Sequence, residues 1–281
     1  MHHCGILRKY SKRPEGGFTL VELMVGLLAS AILTYAAFSL YITQHKQMLV
    51  QDEIADMQGN IRAAAETLAS ALRKAGYNLP GTEFNAIETR DTNPDTVIVT
   101  FDSGTLVNVT LRYDMADPTE EIRCQVNDDV SALNDSEWAY IYDPNAETGE
   151  LFMTSRVLAG PPRIQHSTMP LSRAYPAGSY LMKITRIKFY LDQSDSTRSD
   201  LKIQLYGNQP VTFAENIVDL NFRYFLANGA VVTQTNTPED IRMVEIDVRG
   251  RTASADTEFA VPYRTRNFTL RVKVRNLAFQ S

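Results

Sequence analysis

Cysteine and histidine are scarce in this chain, whose 281 residues include two cysteines and four histidines. Cys4 and Cys124 stand far apart, and neither belongs to a Cys-x-x-Cys or Cys/His spacing, which excludes a disulfide framework and the usual zinc patterns. We expect Cys124 to be a small buried residue on a strand. Metalloprotease, nucleophile-elbow and phosphate-loop motifs are missing too. The sequence therefore predicts no catalytic, cofactor-binding or metal-binding residues, and we expect a protein that is not an enzyme.

Positive charge is also sparse. The formal net charge is -5, and no run of lysine and arginine follows residue 50. Nucleic-acid binders usually carry a basic patch or stripe, so no nucleic acid is predicted among the partners. The basic residues cluster instead at the start of the chain, at Arg8, Lys9, Lys12 and Arg13.

Charge is nearly absent from residues 18–42, an apolar run interrupted only by Glu22. As a helix this run would be about 37 Å long, enough to cross the ~30 Å hydrocarbon core of a membrane. A secretory signal peptide would have a shorter apolar region followed by a small-residue cleavage site. Here Gly16 and Gly17 precede the run, so the sequence predicts a transmembrane segment over residues 18–42.

The junction between the basic leader and the apolar run has the sequence GFTLVE over residues 17–22. A basic leader, a glycine, an aromatic residue and an acid at a fixed offset resemble the processing signal of type IV pilins and type II secretion pseudopilins. The resemblance implies that a prepilin peptidase removes residues 1–17 by cutting between Gly17 and Phe18. It also implies N-methylation of Phe18 in the mature protein.

Glu22 is energetically unfavourable in a membrane segment, because inserting a lone ionised acid at the bilayer centre costs at least ~2.5 kcal/mol of free energy. Cleavage before Phe18 creates an amine that a carboxylate of a neighbouring subunit can pair with. A paired charge is tolerated in a low dielectric where a lone one is not. Our hypothesis is that Glu22 favours assembly by this charge pairing.

The chain turns polar after residue 42, but no proline occurs between Pro14 and Pro80. Apolar residues recur at helical spacing on one face, at Val50, Ile54, Met57, Ile61, Ala64 or Ala65, Leu68, Leu72 and Ala75. Gly76 followed by Pro80 predicts the helix end. We therefore expect one long helix over residues 18–76, transmembrane over 18–42 and amphipathic over 43–76. The apolar face is more typical of packing on the protein's own sheet than of a coiled coil.

Residues 77–281 are predicted to form a soluble, β-rich globular domain. Period-two patterns indicate strands at residues 96–101, 106–113, 122–126, 181–191, 201–206, 218–226, 243–248 and 268–274. Asn228-Gly229 predicts a hairpin turn, and the proline-punctuated stretch 160–178 predicts a loop. A long helix followed by strands favours an α+β fold, with the helix packed on an antiparallel sheet, as in the pilin fold.

A second, weaker resemblance covers residues 215–224, 241–249 and the closing strand, which are similar to the PilW minor pilins and their pseudopilin J relatives. It implies a minor pilin of a type IV pilus that takes part in pilus priming and assembly at the tip, with other minor and major pilins as partners. Such a protein sits in the inner membrane with a periplasmic domain and then in the pilus. The alternatives are a minor pseudopilin of a type II secretion system and, from another class, a membrane-anchored periplasmic binding module.

Two surface features allow more than one interpretation. Acidic residues cluster between positions 114 and 135, where they could bind calcium but more often form a solvated face; the set is Asp114, Asp117, Glu120, Glu121, Asp128, Asp129 and Asp135. The aromatic residues Trp138, Tyr140 and Tyr142 could form a contact patch for another subunit or one side of a core. We favour the core, since most large aromatic side chains are buried.

Overall fold

The computed structural model describes residues 16–80, 85–166, 170–195, 197–206, 208–255 and 262–279. The basic cluster predicted at residues 8–13 and Cys4 lie outside these ranges. The chain forms two compact units, one up to Asp52 and the other from Glu53 onward. The second unit holds the strands and the last part of the long helix.

Helix α1 spans Leu20–Lys74 without interruption, which confirms the long helix predicted from the sequence. It ends at the predicted glycine, because Gly76 adopts a φ of 71° and donates its backbone N–H to the carbonyl of Thr100 at 2.9 Å. A left-handed conformation of this kind is inexpensive for glycine and closes many helices.

The second unit is rich in strands. They are β1 (Ile87–Arg90), β2 (Thr96–Asp102), β3 (Val109–Thr110), β4 (Ile122–Arg123), β5 (Trp138–Asp143), β6 (Thr148–Ala159), β7 (Pro162–His166), β8 (Tyr180–Asp195), β9 (Arg198–Leu205), β10 (Val211–Ala214), β11 (Ile217–Leu226), β12 (Val231–Val232), β13 (Ile241–Arg251) and β14 (Thr265–Lys273). Short 3-10 turns occupy Pro238–Asp240 and Asn276–Phe279.

The strands form two antiparallel sheets. The larger sheet has the order β1-β2-β8-β5-β6-β7-β4, with β3 and β9 also paired to β8 and β10 paired to β9. The smaller sheet has the order β12-β11-β13-β14. Its β11–β12 hairpin turns at the predicted Asn228-Gly229, where Gly229 has a φ of 84°. The α+β class with an antiparallel sheet domain is therefore confirmed.

One hydrophobic core joins the buried face of α1 to both sheets. The helix contributes Met57, Ile61, Leu68 and Leu72 among others, and the predicted apolar face is the one that is buried. Strands β2, β8, β11, β13 and β14 supply the facing side chains. This arrangement confirms that the amphipathic part of the helix packs on the protein's own sheets.

The helix approaches the smaller sheet closely at Gly250 of β13. A Cβ atom at this position would lie 2.7 Å from Cγ1 and 2.8 Å from Cδ1 of Ile61, distances that real Cβ atoms essentially never show. Glycine in a strand often marks such a close approach. Gly250 therefore makes room for the Ile61 side chain in the core.

A second hydrophobic core lies among β3, β4, β5, β6 and β7 and the loops between them. Its buried side chains include Leu111, Ile122, Cys124, Ile141 and Ile164. Strand β8 contributes to both cores, because its first residues pair with β3 and β5 while its later residues pair with β2 and β9. The β region is thus two packed lobes that share one long strand.

Several strands differ from the sequence-based expectation. Residues 106–113 were expected to be one strand, but only Val109–Thr110 pair as β3. The loop expected over residues 160–178 is wrong in part, because β7 occupies Pro162–His166. Proline is compatible with the first position of a strand, and here it begins β7. Strands β1, β5, β6 and β10 were not predicted, although the aromatic residues Trp138, Tyr140 and Tyr142 of β5 were expected in a core.

Candidate functional site

The residues of the predicted processing site lie directly before α1. Gly16, Gly17 and Phe18 are non-helical and exposed, and Phe18 is 89% exposed. A Cβ atom placed on either glycine would have no heavy atom within 4 Å. Within the described residues, the Gly17–Phe18 peptide bond therefore lies in an open segment that an enzyme can reach.

Thr19 and Glu22 form a reciprocal set of hydrogen bonds at the start of α1. The backbone N–H and the hydroxyl of Thr19 both donate to Oε2 of Glu22 at 2.9 Å. The backbone N–H of Glu22 donates in return to Oγ1 of Thr19 at 3.2 Å. This exchange is a capping box, in which a Ser or Thr at the N-cap and a Glu or Gln three residues later satisfy orphan backbone donors.

The capping box gives Glu22 a role that the sequence analysis missed, although the signal was there to find. Thr-x-x-Glu before an apolar run is the pattern of a capped helix start. In the part of the chain that the structure describes, both Thr19 donors bind the same carboxylate oxygen, Oε2. Glu22 thus fixes the helix start within its own chain and keeps a negative charge at the positive end of the helix dipole.

Two hydroxyl groups in the apolar part of α1 bond back to the helix's own carbonyls. Ser30 donates to the carbonyl of Leu27 at 2.9 Å, and Thr34 donates to the carbonyl of Ser30 at 2.8 Å. Such bonds back to the helix's own carbonyls let a hydroxyl sit in an apolar environment. By length and composition, α1 is long and apolar enough to cross a membrane, which fits membrane anchoring of the chain.

The acidic residues between positions 114 and 135 are distributed over several loops. Asp114 accepts a hydrogen bond from the backbone of Ala177 at 2.8 Å, and Asp135 accepts one from the backbone of Val157 at 2.7 Å. Among the residues described, no group of three or more His, Cys, Asp or Glu side chains could hold a metal ion. The geometry gives the calcium interpretation no support. Asp114 and Asp135 instead hold their loops to backbone that is distant in sequence.

The aromatic residues of β5 belong mainly to the protein interior. Tyr140 is fully buried and donates from its hydroxyl to the carbonyl of Pro80 at 2.8 Å. Trp138 and Tyr142 are partly buried and pack against the same small cluster. The core interpretation of Tyr140 is confirmed, whereas Tyr142 also lines a cleft.

Cys124 is buried, as expected. Burial, followed by the nearby Asp128 carboxylate, raises the pKa of the Cys124 thiol to about 12. The unfolded thiol has a pKa of about 8.5, so at pH 8.5 the folded protein should hold roughly a thousandfold less thiolate. The folded Cys124 thiol stays neutral up to about pH 12. Its contribution to stability is therefore fully present below pH ~8.5 and is lost progressively as the pH rises from there toward about 12.

We expect Cys124 to react with iodoacetamide at pH 8.5 at least about a hundredfold more slowly in the folded protein than in urea. A Cys4→Ser background leaves Cys124 as the single thiol, and the measurement is the rate of alkylation by mass spectrometry. Equal rates in buffer and in urea would contradict the buried, neutral thiol.

Comparison with known proteins identifies one feature of this chain. Residues 12–38 match the prokaryotic N-terminal methylation motif, and the match contains Gly17, Phe18 and Glu22. No curated protein matches the chain. The motif indicates a protein of type IV pilin or pseudopilin type, implies processing by a prepilin peptidase, and suggests a structural role instead of an enzymatic one.

Proposed function

We propose that this chain is a PilW-like minor pilin of a type IV pilus. It is made with a leader of residues 1–17, cut between Gly17 and Phe18, and methylated on Phe18. Helix α1 (Leu20–Lys74) follows, and its first half anchors the protein in the inner membrane. The domain of residues 77–281 faces the periplasm until the protein joins the filament. The observation that supports the pilin class of this proposal is the methylation motif, which contains the capped start of a long apolar helix.

The large β domain supports a minor instead of a major subunit. Two lobes and two sheets follow α1, and a domain of this size would crowd a densely packed shaft. A position at the tip, where priming takes place, has room for it. There the partners would be other minor pilins and the first major pilins.

Glu22 would act at the moment of assembly. Its capping bonds to Thr19 use Oε2. The same carboxylate can therefore cap its own helix and also accept a hydrogen bond from the charged amine of a neighbouring subunit. Pairing the carboxylate with an amine offsets part of the cost of at least ~2.5 kcal/mol that a lone ionised acid has at the bilayer centre. The pairing partner is the methylated amine of Phe18 on an adjacent subunit.

The test is the intact mass of the membrane-extracted protein, with and without a co-expressed prepilin peptidase. We expect loss of residues 1–17 and the addition of one methyl group only when the peptidase is present. Gly17→Val should block the cut, and Gly16→Val is the matched control that should be cut normally. Both positions have open space for a side chain, so neither change disturbs the fold. An uncut chain in the presence of the peptidase would overturn the proposal.

Incorporation into a type IV pilus is tested by a separate measurement. The processed protein should appear in sheared filaments at a small fraction of the major subunit, and filament number should fall when the gene is deleted. Normal filaments without it would contradict a priming role.

A further inference from the structure

An open cleft of about 1090 Å³ lies beside the C-terminal end of α1, within the unit that begins at Glu53. It is walled by the turn after α1, the turn after β2, the β5–β6 hairpin and the start of β8. We call it the tyrosine cleft, because Tyr77, Tyr142 and Tyr180 line it.

The rim of the tyrosine cleft exposes large side chains. Tyr77 is 54% exposed, Tyr180 is 43% exposed and Val107 is 69% exposed. Aromatic residues that gather around a concave surface are typical of binding sites, where they supply contact area at low entropic cost. The three tyrosines at one cleft distinguish it from an ordinary surface, where exposed apolar side chains are scattered singly.

The charge of the tyrosine cleft has one sign. Asp102 is buried, and its carboxylate accepts hydrogen bonds from Nδ2 of Asn78 at 2.6 Å and from the backbone of Gly104 at 2.9 Å. These donors are neutral, so they stabilise the carboxylate without cancelling its charge. Glu147 adds a second, exposed carboxylate. Among the described residues that line the cleft, none is a lysine, arginine or histidine.

Elsewhere in this protein, a tyrosine ring and a carboxylate together contact an arginine side chain. The Arg173 guanidinium lies 4.6 Å from the ring centroid of Tyr175, and its Nη2 lies 3.6 Å from Oδ2 of Asp143. One tyrosine face and one carboxylate thus share an arginine inside this chain. The tyrosine cleft presents the same two kinds of group with no cation from the described residues between them.

We propose that the tyrosine cleft binds an arginine or lysine side chain presented by another protein. The apolar stem of the bound residue packs on Tyr77, Tyr180 and Val107, and its charged end faces Asp102 and Glu147. Long basic side chains bury their stems in this way while keeping the charge near a partner. Such binding depends neither on cleavage nor on filament assembly.

The test uses the full-length protein in a nonionic detergent and a BODIPY-labelled pentapeptide with two arginines, followed by fluorescence anisotropy. A second peptide carries citrulline, the neutral isostere, at the same positions. We expect saturable binding of the arginine peptide and at least about fivefold weaker binding of the citrulline peptide. Glu147→Gln and Tyr77→Ser, both at exposed positions, should each weaken the arginine peptide by about fivefold or more.

The matched control is Asp56→Asn, which removes one negative charge from an exposed position of α1. It lies 20 residues before Gly76, about 30 Å along the helix, and should change binding by less than roughly twofold. Equal binding of the citrulline peptide would overturn the proposal. So would an equal loss in Asp56→Asn and Glu147→Gln, which would mean diffuse attraction to an acidic protein, or the absence of saturable binding. An uncut chain in the mass measurement would leave this result unaffected.

Discussion

Replacing Glu22 by glutamine is expected to leave the protein cut and anchored but to lower its incorporation into filaments about tenfold or more. Glutamine keeps an acceptor oxygen at the capping position, and capping boxes use Glu or Gln alike. The bonds from Thr19 to Oε2 can therefore persist in the variant. What glutamine lacks is the negative charge, and a pairing contribution of only ~1.4 kcal/mol already corresponds to a factor of ten.

The measurement is the ratio of variant in sheared filaments to variant in the membrane, in cells without the wild-type gene. Glu22→Ala is the matched companion, since it removes both the charge and the cap. If glutamine incorporates as well as wild type while alanine does not, Glu22 acts through the helix cap and the charge-pairing hypothesis is wrong. If both variants incorporate normally, neither role matters for assembly.

Replacing Leu68 by alanine is expected to destabilise the β domain by about 3–4 kcal/mol. Leu68 lies in the middle of the face of α1 that packs on both sheets, and its side chain is fully buried. The cost combines the lost transfer free energy with a cavity that helix and strands on several sides cannot easily fill. In urea this corresponds to a midpoint lower by roughly 1 M or more, with an unchanged slope.

Unfolding can be followed in nonionic detergent by the fluorescence of Trp138, the single tryptophan of the chain. Leu205→Ala is the matched control, because it removes the same atoms from a side chain that is 43% exposed. We expect it to cost about 1 kcal/mol or less. If Leu68→Ala lowered the free energy of unfolding by as little as Leu205→Ala is expected to, the helix face would contribute little to the stability of the domain.

The helix and the methylation motif were the easiest parts to predict because their signals are local. A long apolar run, an absence of proline and a terminal glycine act within a few residues of one another, and they determine α1 almost alone. The Gly17–Phe18 junction and Glu22 were likewise predicted from their spacing, and both lie within the matched motif. The capping role of Glu22 was not predicted, although Thr-x-x-Glu before an apolar run is a pattern of capped helix starts.

The strands of the second lobe were harder to predict for physical reasons. Residues 138–142 are apolar or aromatic at nearly every position, because β5 lies between β6 and β8 and is mostly buried. A strand of that kind lacks the alternation that marks a half-exposed strand. β3 shows the opposite case, since Leu106, Val109 and Leu111 are buried while only Val109–Thr110 pair in the sheet.

The tyrosine cleft could not be predicted from the sequence at all. Tyr77, Asp102, Glu147 and Tyr180 are separated by dozens of residues, and no local pattern connects them. Only the tertiary packing brings the turn after α1 next to the β5–β6 hairpin.

The long strand β8 constrains how this protein can change length during evolution. Side chains of a strand alternate between faces, so one inserted or deleted residue moves every later side chain to the opposite face. Leu181 near the start of β8 belongs to the second core, whereas Phe189 and Leu191 belong to the core of α1. A single deletion between them would turn the β8 side chains of one of the two cores to the opposite face of the sheet. Insertions should therefore accumulate in the turns of either lobe, while the spacing from Leu181 to Leu191 stays fixed.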